Sequence, residues 1–451
     1  MHQVVTEPAG DYDVAVLGGG FAGAAASRHL TQAGLRVIVI EARDRLGGRM
    51  WSEFDVHDGH TVEWGGAFMI DRPTYPLTWH EIDEAQLALE WGNTQPTQLI
   101  WLSEGERRTG PVPVPLNELP SLERLLVRLN DLAGRIDTSR PVESQDLSEL
   151  DVPWPKLLED LDLGPHTRDL WRSHIVTLAG HPWDVPSALP LLHSIASAGS
   201  VAGASFFSAP YDTPMARTLG PQLARGTGSL YDAIMSNSSA DVLLGATVHA
   251  VDDGPDAATV TTSRGTVTAR MVLCSLPISV LSSVRFTPGV APELTTLAEQ
   301  GVSGQAEKAT VFVSNCPEPF YGHGLTPGGG FATASTTWHE GDRAIVVGFT
   351  AAAGALDLDD AAAVQASLRH YVPGIVVEKV AWHDWTNDPF SGGTWSYVRP
   401  GQTRLRQAAR QPRGRLTFAG SDFDARLGVE GALYTAGLAA GEVINLLDRQ
   451  T

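Results

Sequence analysis

Gly18, Gly20 and Gly23 stand in G-x-G-x-x-G spacing, and Glu41 ends the second apolar run after them. Residues of these types at this spacing can hold a dinucleotide. Gly18 permits a tight turn, Gly20 lets a pyrophosphate approach the backbone, and Gly23 lets a helix and a strand pack closely. A carboxylate about 20 residues on can accept ribose hydroxyls. Phe21 and Ala22 lie between the second and third glycines, just before the helix expected from residue 24, whose leading N–H groups offer donors and a positive dipole end to phosphates. Lys308 carries a different kind of chemistry. It is one of three lysines, with Lys156 and Lys379, and it opens the apolar run KATVFV. Burial in such a run lowers a lysine pKa and makes a partly neutral amine available.

The elements that must position these residues are readable around them. Residues 13–17 (DVAVL) read as a short buried strand, residues 24–30 as the start of a helix of small residues, and residues 36–40 (RVIVI) as a second strand ending on Glu41. Strand, glycines, helix, strand and acid in register make the dinucleotide fingerprint strong, and it fits NAD and FAD equally. Next come a loop rich in glycine and arginine (residues 42–49, ARDRLGGR) and a glycine pair in apolar surroundings (residues 62–69, VEWGGAFM). From about residue 73 proline clusters separate helix-like segments at 122–132 and 154–163, the pattern of an inserted, mostly helical domain. Strands are expected at 241–244, 247–251, 258–262 and 266–273, then at 309–313 and 344–349 with a helix near 361–371. Residues 415–447 read as strand, glycine, loop and long helix. Should that last strand join the first sheet, three separated stretches build one nucleotide domain. The run from Gly328 to Ala334 (GGGFATA) lacks a third glycine and reads as a turn between strands.

Bulk properties narrow the class. A chain of 451 residues implies two or three domains, and 43% hydrophobic with 19% charged residues fits a globular protein. A net charge of -20 argues against a nucleic-acid partner and would steer a cation. Cys274 and Cys316 are the only cysteines and lack CxxC spacing, which excludes a disulfide scaffold and a cysteine metal site and fits a reducing compartment. His57 and His60 are too isolated for a metal site, so no metal is expected. There is no nucleophile elbow or triad. The N-terminus lacks an apolar leader, and no run reaches the ~18 apolar residues of a membrane span. The expectation is a cytoplasmic protein without a membrane partner, with which a homodimer is compatible.

The motifs together resemble the flavin-containing amine oxidase family, monoamine oxidases included, in the family's order and across nearly the whole chain. DVAVLGGGFAGAAASRHL and VIVIEARDRLGGRMWS are similar to its first βαβ unit and extension, so Ala42 and Arg43 fall at the cofactor, and Gly48 and Arg49, in LGGR, where the family wraps the pyrophosphate and approaches the flavin. VEWGGAFM matches the segment beside the isoalloxazine, which places Trp64, Gly65, Gly66 and Ala67 at the cofactor and Phe68 and Met69 at the substrate pocket. RGTGSLYDAI resembles the helix start before the second nucleotide section, and Val248 falls where the family contacts adenine through its backbone. WTNDPFSGGTW and RLTFAGSDF with VEGALYTAG resemble the two C-terminal motifs. By that resemblance Trp385 packs beside the ring, and Gly420, Ser421 and Asp422 meet the ribityl and phosphate region. Glu430, Gly431 and Ala432 open the last helix, with N–H groups toward the flavin C2 carbonyl.

The resemblance also implies roles for two catalytic candidates. Lys308 matches the lysine that holds a water at flavin N5, and Trp395 matches one wall of an aromatic cage for the substrate amine. Thr394 stands where some members carry a cysteine that bonds the flavin, so FAD should be held non-covalently. Gly428 stands where the second cage aromatic would be, so the cage should admit a bulkier or secondary amine. The fold implied is α/β: a Rossmann-like FAD-binding domain of the glutathione-reductase type (residues 1–78, 220–300 and 385–451) interleaved with a mixed-sheet plus helical substrate-binding domain (79–219 and 301–384). The function implied is FAD-dependent amine oxidation, with hydride passing from the amine α-carbon to flavin N5 and dioxygen becoming hydrogen peroxide. Alternatives are an L-amino-acid oxidase, which needs a cation for the carboxylate near Met69 or Arg72, a carbon–carbon desaturase, and a non-catalytic FAD-binding scaffold.

Overall fold

A computed structural model describes residues 2–8, 10–67, 72, 75–90, 96–201, 222–326, 328–426 and 428–449. Its first sheet grows from the two apolar runs around the glycines. Tyr12–Leu17 and Val37–Ile40 pair in parallel. Their side chains alternate between two cores. Val14, Val16, Val37 and Val39 enter one, while Ala15, Leu17, Ile38 and Ile40 enter the other. A strand covered on both faces must be apolar throughout, which is why these runs show no polar alternation.

Gly265–Cys274 ties the remote pieces to this pair. Its first half pairs antiparallel with Ala258–Thr262, and its second half lies parallel to both Tyr12–Leu17 and Leu416–Phe418. Strands from near the start, the middle and the end of the chain therefore share one sheet, in which Asp241–Leu243 flanks Val37–Ile40. The Phe21–Gln32 helix buries Ala24, Ala25 and Ala26 completely and packs on the last helix, Gly428–Asp448. Small residues let the two backbones come close. At Gly23 a Cβ would stand 2.0 Å from the Gly18 carbonyl oxygen, so only glycine fits.

The second sheet runs in the order Val376–Trp382, Lys308–Ser314, Arg343–Thr350, Phe331–Glu340, Phe320–His323, Gln98–Ser103, Glu106–Thr109. Three sequence expectations need correction here. The segment expected to be mostly helical contributes the Gln98–Ser103 and Glu106–Thr109 hairpin, whose turn puts Glu104 (φ 52°) and Gly105 (φ 74°) in the left-handed region a two-residue hairpin favours. The helix expected at 154–163 is a single turn, Trp154–Leu157, because Gly164 and Pro165 start a new helix, Pro165–Ala179. The GGGFATA run is a turn only at its glycines, and Phe331 already opens a strand.

Helices Leu119–Ala133, Pro165–Ala179 and Leu189–Ser197 share a core around Trp154 and Trp171. The Glu118 carboxylate accepts from Thr167 N–H (3.0 Å) at the first turn of Pro165–Ala179, fixing where that helix begins. Farther along, the Ser173 hydroxyl and His323 ring are 2.9 Å apart, which holds the helix on the second sheet. Among the described residues no helix is long and apolar enough to cross a membrane, and no His/Cys/Asp/Glu cluster could hold a metal ion.

Candidate active site

One cavity takes its lining from both sheets. Gly18, Gly20, Phe21 and Ala22 come from the glycine turn and the start of its helix, Glu41 from the end of Val37–Ile40, and Lys308, Phe349 and Trp395 from the second sheet and the loop beside it. The Glu41 carboxylate accepts from the N–H groups of Gly19 and Arg43, both at 2.8 Å. Tyr231 donates to the Gly19 carbonyl (2.9 Å) and meets the Phe21 ring edge-on. The 42–49 loop folds back onto this turn so closely that a Cβ on Gly48 would sit 3.2 Å from the Gly20 Cα. These contacts leave the leading N–H groups of the Phe21–Gln32 helix without a side-chain cap, next to open space.

Arginines and tryptophans shape the middle of the cavity. Arg43 donates to Asp388 (2.5 Å) and Ser391 (2.9 Å), and lies 5.8 Å from the Trp385 ring centre and 5.3 Å from that of Phe390. Arg49 donates to the Thr394 carbonyl (2.7 Å) and the Asp422 carboxylate (2.9 Å). Trp385 donates its indole N–H to the Trp64 carbonyl (2.9 Å), bracing the Trp64–Ala67 wall. A Cβ on Gly65 would lie 1.9 Å from the Arg49 carbonyl oxygen, so two backbones touch there.

Lys308 is 7% exposed and lies directly across the strand pair from Phe349. Its ammonium donates to the Gly65 carbonyl. Burial pushes its pKa down to about 8, with Glu63 acting weakly the other way. Trp395 donates its indole N–H to the Leu178 carbonyl, at the end of the Pro165–Ala179 helix, and meets Phe349 edge-to-face (6.0 Å, 73°). The Thr394 hydroxyl donates to the Gly304 carbonyl (2.9 Å). Both cysteines are buried and free, and neither lines the cavity.

Most residues singled out from the sequence meet here: Arg43, Gly48, Arg49, Trp64 to Ala67, Trp385, Gly420, Ser421, Gly428 and Ala432 also line the cavity. Others do not. Gly23 packs on the turn from behind, and Ala42 and Val248 lie outside the lining, Val248 being paired with Thr262. Asp422 spends its carboxylate on Arg49 and on the Ile278 N–H (3.0 Å). Glu430 accepts from Leu77 N–H (3.0 Å) and Thr78 N–H (2.9 Å), capping the Pro76–Glu84 helix. Gly431 packs against the Arg426 carbonyl. Phe68 and Met69 lie outside the described residues. Sequence reasoning missed Tyr75, Phe349 and Phe390 in the lining. Phe349 carried a signal as an aromatic at the end of an apolar strand, and Phe390 as part of the WTNDPFSGGTW motif.

The family model for flavin containing amine oxidoreductases matches residues 21–444, and the chain belongs to that family. It is a flavin-dependent oxidoreductase acting on CH–NH bonds. It is 30% identical to (S)-6-hydroxynicotine oxidase of Paenarthrobacter nicotinovorans, over 96% of this chain and 100% of that one. It is also 30% identical to pseudooxynicotine dehydrogenase of a Pseudomonas species, over 91% and 82%. Wild-type putrescine oxidase bound to putrescine superposes with a TM-score of 0.80 at 25% identity, covering 97% and 100%.

Proposed function

We propose that this cavity holds FAD without a covalent bond and that Lys308 and Trp395 present a small amine to it. One observation carries the proposal: a buried amine and an aromatic pair share a cavity with an uncapped helix N-terminus and a buried carboxylate. The residues present fit the cofactor. A Cβ on Gly20 would meet nothing closer than the Gly48 Cα at 3.9 Å, so the backbone is open to the cavity there, and the free helix donors suit a pyrophosphate. Glu41, at the end of its strand and on the cavity wall, would take the ribose. Gly65 to Ala67, Trp385, Gly420, Ser421 and Ala432 would hold the ring end. When bound, FAD supplies the acceptor for the hydride leaving the carbon next to the amine nitrogen, and dioxygen takes the electrons onward.

The protein's part is orientation and proton control. Trp395 and Phe349 offer aromatic faces and edges that place an amine nitrogen. Lys308 offers a buried amine able to hold a water and to take or give its proton near neutral pH. Gly428 leaves its wall bare, which favours a bulkier or secondary amine. The cation that the amino-acid oxidase alternative would draw from Arg72 is engaged elsewhere: Arg72 donates to Asp83 (2.5 and 2.9 Å), stacks on Trp79 and does not line the cavity. The two buried free thiols support a cytoplasmic location.

Two results are expected. Acid precipitation of the holoprotein leaves all FAD in the supernatant, because Thr394 carries no thiol. A yellow pellet would contradict non-covalent binding. The rate of anaerobic flavin reduction rises with pH through a limb near 8, where Lys308 loses its proton. The sign follows from the lowered pKa: below the limb the ammonium predominates, and above it the neutral amine. A limb set by the substrate's own proton would survive in Lys308→Met, so only loss of the limb in that variant supports the assignment.

A further inference from the structure

The segment carrying Trp395 and the turn carrying Ser421 are clamped together twice. Arg49, on the cavity wall, joins the Thr394 carbonyl to the Asp422 carboxylate. Arg406 joins the next residues along: it donates one terminal nitrogen to the Ser396 hydroxyl and the other to the Asp424 carbonyl (2.8 Å). The contacts thus fall on alternate residues of each segment, and Trp395 sits between the two rungs. Ser396 passes the restraint on, since its hydroxyl reaches the Val302 carbonyl (3.2 Å).

Arg406 is an expensive residue to keep. It is 2% exposed, on the Gln402–Ala409 helix, and its Nε has no hydrogen-bond partner among the described residues. Burial lowers its pKa to about 10, opposed by Asp422, Asp424, Glu143 and Asp151, so it stays cationic at neutral pH. Exchanging a buried charged pair as a whole for well-packed apolar residues is often neutral or stabilising, so stability alone is a weak reason for such a group. Its forked donors suit a geometric role, because a planar guanidinium fixes two acceptors relative to each other.

We propose that Arg406 is a positioning residue for amine oxidation: through Ser396 and Asp424 it sets the Trp395 segment, which faces the amine, against the Gly420–Asp422 turn, which faces the cofactor. This rests on the amine-oxidase assignment above and adds the device that fixes the spacing between the two reactants. Misplacement by about 1 Å can cost about a hundredfold in rate.

The test uses Ser396→Ala and Arg406→Met holoenzymes with two readouts. Hydrogen exchange is expected to rise in residues 394–398 and 420–426 together, and the limiting rate of anaerobic flavin reduction, per bound flavin, to fall about tenfold or more. FAD occupancy stays as in the parent. Ser396→Ala adds nothing when placed on Arg406→Met, because both break one clamp. Should Arg406→Met fail to fold, Ser396→Ala, which deletes a single hydroxyl, decides both readouts. Exchange that rises in neither segment or in only one, or an unchanged reduction rate per bound flavin, overturns the proposal. If no amine bleaches the parent flavin, the amine assignment falls, and the exchange readout still decides whether the clamp exists.

Discussion

Lys308→Met slows amine-dependent bleaching of the flavin by about a hundredfold or more, with FAD still bound. Groups that hold or move a proton at a reacting centre contribute about 10²–10⁴-fold. Methionine fills nearly the same space, so the cavity wall persists while the donor and base disappear. A second effect accompanies the first. The ammonium serves the buried Gly65 carbonyl, and removing it leaves that acceptor without its partner, at a cost of about 1–3 kcal/mol. Thermal unfolding should therefore shift down as well. Stopped-flow reduction normalised to bound flavin separates the two effects. A variant that bleaches at the parent rate would reduce Lys308 to a structural peg for the Gly65 loop.

Gly23→Ala should weaken cofactor binding. Its methyl would stand 2.0 Å from the Gly18 carbonyl oxygen, and both groups belong to backbone, so no rotamer relieves the clash. The turn must open or the helix must shift, an overpacking strain of about 1–3 kcal/mol that falls on the phosphate site. At 1.4 kcal/mol per decade, that weakens FAD binding by about tenfold to a hundredfold. Gly437→Ala is the matching control. Gly437 lies in the last helix with nothing within 4 Å of its Cβ position, so the change should leave FAD binding intact and stabilise the helix by about 0.5–1 kcal/mol. Titration of apoprotein with FAD, followed by flavin fluorescence, measures both. Equal affinity in Gly23→Ala and the parent would show that helix and turn do not meet as described.

These effects trace to features of unequal legibility. The first βαβ unit was readable because its causes are local: doubly buried strands need unbroken apolar runs, and the glycines mark where backbones touch. The expected strands at 258–262 and 266–273 correspond closely to Ala258–Thr262 and Gly265–Cys274 for the same reason. The hairpin at 98–109 was not readable among proline-rich helices, since its edge position depends on pairing with distant Phe320–His323. Site residues divide in the same way. Lys308 stood out through its rarity and its apolar run, whereas Phe349 matters because strand register sets it opposite Lys308. In the sequence Asp422 reads as a ligand through its carboxylate and Glu430 as a donor through its backbone N–H. Their partners, Arg49, Ile278 and Thr78, are remote in the chain, so nothing local shows that their carboxylates are engaged.

The joint presence of a cofactor cradle and a buried amine in one cavity is tested most directly by anaerobic mixing of the holoprotein with primary, secondary and tertiary amines. Absorbance of the oxidised flavin should fall with at least one amine, faster above pH 8 than below it, and return on admission of air with hydrogen peroxide formed. A flavin that dithionite reduces but that stays oxidised with every amine would contradict the assignment.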